Sequence, residues 1–222
     1  MIRLNMIVEG QTEEAFVNAL LLEHLIQFNI QTSVRRVKTG SQKGGDPKFA
    51  RVKREAELWL KQDPASYLTI MVDLYKLPTD YPGYQDSLKL QAPSRVEALE
   101  AAMAQTINHP RFIPYIQLHE FETLLFSDPA QFDWEFMEHE EAIQSLIQLA
   151  EMLPPETIND TPEGAPSKRI ISALVEYKSR KATAGPNIAR HIGLEKIRQR
   201  CPHFDRWVST LEQLKQDKET KL

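Results

Sequence analysis

Cysteine is nearly missing: Cys201 is the single one among 222 residues. That excludes an internal disulfide framework and any cysteine-rich zinc site, and it points by default to a reducing, cytoplasmic compartment. Long apolar runs are missing too. No stretch approaches the roughly 18 consecutive apolar residues of a membrane-spanning helix, and the opening Met1-Ile2-Arg3-Leu4-Asn5 is no secretory leader, so no membrane association is expected. Lys43-Gly44-Gly45 lacks the Gly-Lys-Ser/Thr ending of a Walker loop, which leaves nucleotide hydrolysis to a partner. His119-Glu120-Phe121-Glu122-Thr123 has threonine where a zincin helix needs its second histidine, so a zinc protease is rejected. Finally, residues 112–167 hold no Lys or Arg at all, while twelve Asp and Glu accumulate there.

What is present is an ordinary globular balance, 41% hydrophobic and 26% charged, long enough for one large domain or a domain with a helical extension. The net charge of −4 hides an uneven distribution. Residues 35–54 carry eight Lys and Arg against Asp46 alone, and residues 168–206 carry ten against three acids. Basic blocks on either side of an acidic stretch suit a polyanion held over bound cations; each block alone also reads as a solvated helix face.

Three apolar runs end in acids. Residues 2–8 run into Glu9, residues 67–72 into Asp73, and residues 112–118 into His119-Glu120-Phe121-Glu122. Between them, Ala15, Ala19, Leu22 and Ile26 keep helical spacing over 12–28 with Thr12 as the expected cap. Residues 31–39 read as a second strand, 48–62 as a helix after the loop at 40–47, and Ser94 as the cap of a helix reaching Ile107. The alternation predicts an α/β fold: a mostly parallel four-stranded sheet flanked by helices, over residues 1–126, with a helical region at 127–222 joined by Pro-rich turns. In such a sheet the strand-end acids converge on one rim.

Glu9, Asp73, Glu120 and Glu122 are therefore the candidate ligands of a divalent cation, Mg²⁺ or Mn²⁺, with Glu9, Asp73 and Glu120 the candidate catalytic acids. Glu120 and Glu122 would face one side of a continuing strand but splay apart on a helix. Any one of these acids taken alone reads equally as the cap of its turn; convergence is what implies a cation or a raised pKa. Lys43 and Lys48 could track a phosphate backbone, and Lys168 with Arg169, at a helix start marked by Ser167, could hold phosphate; the alternative is that Ser167 simply caps an amphipathic helix. Phe204, Trp207 and Cys201 read as core.

Val8-Glu9-Gly10-Gln11-Thr12-Glu13 resembles the Glu-Gly opening of Toprim domains, the metal-dependent fold of topoisomerases, primases and OLD-type nucleases. Together with His119 to Phe126 as a motif, Ser167-Lys168-Arg169-Ile170, and Cys201-Pro202-His203-Phe204 with Trp207, the chain is similar over nearly its whole length to the Toprim-like domain-of-unknown-function family 4276. The resemblance implies a Toprim-like fold with added helices, a divalent-metal site, nuclease or related phosphoryl-transfer activity on nucleic acid, and a genomic setting beside ABC-type ATPases in bacterial anti-phage systems. It also aligns Glu9 with the first Toprim acid and Asp73 with the first Asp of Asp-x-Asp. The second Asp is Tyr75 here, which keeps open an alternative: a non-catalytic subunit that docks or regulates an ATPase.

Overall fold

Strand β1 (Ile2–Val8) sends Leu4, Met6 and Val8 to one face of the sheet and Ile7 to the other, the alternation of an extended chain buried on both sides. This computed structural model describes residues 1–37, 48–158 and 164–214. After β1 come α1 (Gln11–Phe16), a π-helical stretch Val17–Leu21, and α2 (Leu22–Ile26), which together form one helix. There follow β2 (Ile30–Arg36), α3 (Phe49–Gln62), β3 (Tyr67–Asp73), the short α4 (Tyr84–Ser87), α5 (Ala92–Ile107), β4 (Phe112–Ile113) and β5 (Ile116–Gln117). Two 3-10 stretches, Phe121–Ser127 and Pro129–Trp134, open the second half. It continues with α6 (Glu140–Met152), a 3-10 turn Pro155–Thr157, α7 (Pro166–Ala173), α8 (Tyr177–Ile192), α9 (Leu194–Arg200) and α10 (Pro202–Glu212).

The strands pair in the order β2-β1-β3-β4, with β5 also on β3, and every pairing is parallel. From β1 the chain steps to β2 on one side and then back across to β3 on the other. The crevice outside the C-terminal ends of β1 and β3 is thus a topological switch point, where open parallel sheets bind their ligands. One face of the sheet packs Leu68, Ile70 and Val72 of β3 against α3 and α5 through Val52, Ala56, Val96, Leu99 and Met103. The other face packs Met6, Val8 and Met71 against Phe16, Leu20 and Leu21, and this apolar cluster continues through Phe121, Phe126, Tyr177 and Phe204 into the helices of the second half.

Several local expectations change. The fourth strand is not continuous over 112–118. Pro114 has no N–H to give to the ladder, so the run breaks into β4 and β5, and the Glu100 carboxylate of α5 accepts the Ile116 N–H at 2.8 Å beside the gap. Gly10, not Thr12, caps α1, because Glu13 reaches back so that its Oε2 accepts the Gly10 N–H at 2.8 Å. Gln91, not Ser94, caps α5: Pro93 fits inside a first turn, so the helix begins before the serine. The second strand runs 30–36 in place of 31–39, and the loop expected at 40–47 lies outside the described residues. Among the described residues no helix is long and apolar enough to cross a membrane.

Helix α10 joins the second half to the sheet through Trp207. Its ring stacks on Tyr115 (centroids 4.2 Å apart, planes at 10°) and its Nε1–H donates to Thr69 Oγ1 of β3 at 2.9 Å. Both partners are buried. Thr69→Val keeps the shape and strands the indole donor, so it should cost about 1–3 kcal/mol in urea unfolding, against little effect for Thr69→Ser.

Candidate active site

The turn after β1 and the end of β3 bring two acids together. The Glu9 backbone N–H donates to the Met71 carbonyl at 3.2 Å, and its carboxylate Oε2 accepts the Asp73 backbone N–H, also at 3.2 Å. Asp73 is half-buried, yet its Oδ1 is fully shielded from solvent and has no hydrogen-bond partner among the described residues. Burial, then the charges of Glu9, Glu13, Glu122 and Glu120, hold the Asp73 carboxyl well above the usual carboxylate range. Of the acids expected at the three strand ends, Glu9 and Asp73 are brought together directly, and a further acid stands beside them.

That acid is Glu13. It sits in the first turn of α1, four residues after Glu9, is 7% exposed, and is pushed up to about 7 by burial first and then by Glu9 and Glu122. Its signal was present in the sequence as the four-residue spacing from Glu9, but the residue reads there as a first-turn helix acid.

The third strand end delivers its two acids in different directions. His119 takes a left-handed conformation (φ 63°), fixed by the Tyr75 N–H donating to its carbonyl at 2.7 Å. Glu120 is then extended and Glu122 enters the 3-10 stretch, so both are buried and splayed. Glu120 turns to the start of α7: one carboxylate oxygen accepts the Ser167 N–H at 2.8 Å and the other the Ser167 Oγ–H at 3.0 Å. Ser167 is therefore no cap, that place being taken by Ala165; it anchors Glu120. Burial and then Glu122 still raise the Glu120 carboxyl, against the two Ser167 bonds.

Glu122 turns to α8. Its Oε1 accepts from Tyr177 Oη at 3.2 Å and pairs with Lys181 Nζ at 2.9 Å. Burial works against the Lys181 ammonium, but Glu122 beside it, then Glu120 and Asp73, hold its pKa above the usual value. Burial followed by Glu122 pushes the Tyr177 phenol far up, so it stays a hydroxyl donor. Tyr177 and Lys181 belong to no motif in the sequence, and Ser167 reads there as the mark of a helix start; their placement on α8 and α7 brings them to the acids. Tyr75, at the second Asp position, lies on the loop after β3 with Lys76 Nζ 5.3 Å from its ring centroid.

The candidate basic residues are less concentrated. Lys48 is exposed at the start of α3, near the loop after β3, where Asp80 accepts the Ala50 N–H at 3.3 Å. Lys168 is exposed on the first turn of α7, next to the residue that anchors Glu120. Arg169 is half-buried and its Nε donates to the Gly164 carbonyl at 2.9 Å. Lys43 lies outside the described residues.

A divalent cation fits this donor set by its chemistry: hard carboxylate oxygens, one of them buried and unpartnered, and more negative charge than Lys181 neutralises. Among the described residues no group of three or more His, Cys, Asp or Glu is placed to hold a metal ion outright. Mutually repelling acids stand apart until a cation or a proton offsets their charge.

The same repulsion fixes a pH dependence. Glu13 has a folded pKa of about 7, raised above its unfolded value, so the folded state binds its proton more tightly. Its contribution is most favourable at acid pH and is lost as pH rises through 7. In metal-free buffer Glu13→Gln should be more stable than the wild type by about 3 kcal/mol above about pH 8, with the advantage gone below about pH 4.5, as read from denaturant midpoints. A constant difference across that range would remove Glu13 from the repulsive set.

Two solved structures are similar over almost the whole chain. One is described as the C-terminal region of the Burkholderia pseudomallei OLD protein, at 13% identity and a TM-score of 0.46, covering 98% of each chain. The other is the corresponding region of the Xanthomonas campestris pv. campestris OLD protein, at 16% identity and a TM-score of 0.39, covering 94% of this chain and 95% of that one. No curated protein matches the chain. The profile of the family described as Domain of unknown function (DUF4276) matches residues 8–212, a span that holds Glu9, Glu13, Asp73, Glu120, Glu122 and Lys181, and this chain belongs to that family.

Proposed function

We propose that this protein is a divalent-metal-dependent phosphodiesterase acting on nucleic acid. The observation that carries this reading is the unpartnered, buried Asp73 Oδ1 among four further carboxylates at the switch point of a parallel sheet. Glu9 and Asp73, joined through the Asp73 N–H, would hold Mg²⁺ or Mn²⁺, with Glu122 and Glu13 completing the negative field. When bound, the cation would supply an activated water and charge stabilisation for the leaving oxygen of a phosphodiester.

The chain's own residues do the rest. Lys181 sets a permanent ammonium beside Glu122, within the field of the acids, where an incoming phosphate meets positive charge. Tyr177 orients Glu122 by its hydroxyl, and Ser167 engages both oxygens of Glu120. Glu120 in this reading positions α7, and with it Lys168, against the rim. Lys48 and Lys168 would follow the strand outward, in the salt-dependent manner of backbone contacts, and Lys43, outside the described residues, is a candidate for the same role from the sequence alone.

The absence of a carboxylate at Tyr75 favours a second reading, in which the chain is a subunit that docks an ABC-type ATPase in an anti-phage system and cuts only in that complex, or not at all. The two are separated by incubating the purified protein with plasmid DNA or RNA in Mg²⁺ or Mn²⁺. Cutting by the wild type that falls by at least about 100-fold in Glu9→Gln and in Asp73→Asn is the expected result. Absence of cutting by the wild type with either metal and either substrate would favour the docking role. Calorimetric titration with Mn²⁺ should show binding to the wild type and its loss in Asp73→Asn.

A further inference from the structure

A cavity of about 480 Å³ opens beside His119, the residue that precedes Glu120. Its walls are the first turn of α5 with Arg95, then His119, and Glu156 with Thr157 of the 3-10 turn. Nothing in the acid rim uses it.

Three features make it a place for an anion. The Arg95 Nε is shielded from solvent without a hydrogen-bond partner among the described residues, while its guanidinium lies over the Tyr84 ring, 5.3 Å from the centroid. The stacked ring fixes the plane of the donor fork, and among the described residues no carboxylate pairs with this permanently charged group, which leaves the fork's positive charge at the cavity wall. Next, α5 is 16 residues long, and at its start Pro93 has no N–H and the Arg95 N–H donates to the Gln91 carbonyl at 2.8 Å, so the Ala92 and Ser94 N–H groups, with the helix dipole, add positive potential to the same wall. Last, the one carboxylate of the wall is already engaged: the Glu156 oxygens accept the His203 and Phe204 N–H groups, each at 3.0 Å. The Glu156 carbonyl meets His119 Nε2 at 3.0 Å, and since a carbonyl only accepts, that nitrogen carries the ring proton.

We propose that this cavity is a phosphate subsite that holds a backbone phosphate of the nucleic-acid strand adjacent to the phosphodiester lying over the acids, an assignment that rests on the function proposed above. The fork of Arg95 matches two oxygens of a phosphate, and the volume admits a phosphate together with its sugar. Arg95 here and Lys181 at the acids would then hold successive phosphates of one strand.

The test uses the whole chain and inorganic phosphate without divalent metal, so it reads the pocket independently of cutting. Phosphate at ten times its Kd should raise the wild-type Tm by about 3–6 °C. Glu9→Gln should keep that shift, whereas Arg95→Gln should lose it. Gln91→Glu, an exposed substitution that adds negative charge at the mouth and suits a helix start, should also lose it, which guards against a fold defect in the arginine variant. No shift in the wild type, or a shift retained in both pocket variants, overturns the subsite. In an Asp73→Asn background, Arg95→Gln should weaken binding of a fluorescent single-stranded oligonucleotide by about 10-fold in an anisotropy titration, the scale of one charged bidentate contact. Unchanged oligonucleotide affinity alongside a lost phosphate shift overturns the assignment to a strand and makes the pocket one for a free phosphate compound.

Discussion

Carboxylates in a nearly dry place, outnumbering the positive charge beside them among the described residues, are the constraint on which this structure turns. Burial and the neighbouring carboxylates raise the proton affinity of Glu13, Asp73 and Glu120, and Lys181 pairs with Glu122 at close range. Each acid has a local reason to be where it is: Glu13 closes the first turn of α1, Glu120 holds Ser167, Glu122 takes Tyr177 and Lys181. Asp73 is the exception, with an oxygen that no residue described here satisfies. A fold that buries such a group gains nothing in stability from it, and sites of this kind are where strain and perturbed pKa values serve chemistry.

The scaffold that imposes this crowding is built from both halves of the chain. On α8, Tyr177, Lys181 and Gly185 recur every four residues and so line one side of the helix. Gly185 is where that side meets the first half: a Cβ there would lie 3.0 Å from Tyr177 Oη, 3.1 Å from Phe121 Cε1 and 3.6 Å from Thr12 Cγ2. A side chain at that position would press on Tyr177 and Phe121, so the hydrogen there lets α8 settle against the start of α1 and the 3-10 stretch without displacing them. The Phe16 and Phe121 rings, edge to face at 5.4 Å, seal the layer beneath. Close helix approach thus places Tyr177 and Lys181 on Glu122, and packing far from the strand ends decides the electrostatics at them.

This explains which parts of the site the sequence discloses. Glu9 and Asp73 are legible because a strand-end acid is a local pattern: an apolar run, one carboxylate, then a turn. The parallel order of β1 and β3 is legible from the alternation of strands and helices. Lys181 is not, because a lysine in an amphipathic helix looks the same whether it meets solvent or an acid 59 positions earlier in the chain. Glu13 is half legible, its spacing from Glu9 being visible and its burial not. The breaks at Pro114 and the shifted caps at Gly10 and Gln91 are backbone accounting, settled by which N–H groups find acceptors, and side-chain patterns report that only indirectly.

The separation of charge along the chain acquires its meaning from the same geometry. The stretch without Lys or Arg, 112–167, contains β5, Glu120 and Glu122, so the rim receives no cation from its own neighbourhood. Positive charge arrives from elsewhere: Lys181 from α8, Lys168 from α7, Arg95 from α5. Cations supplied from separate elements sit around the acids and cannot collapse into neutral pairs with all of them, since each is fixed by its own helix. A polyanion approaching that arrangement meets attraction at the margins and repulsion at the centre. On the function proposed above, a bound divalent ion would offset part of the negative charge at the centre alone, so that occupancy of the rim and engagement of a phosphate chain would favour one another.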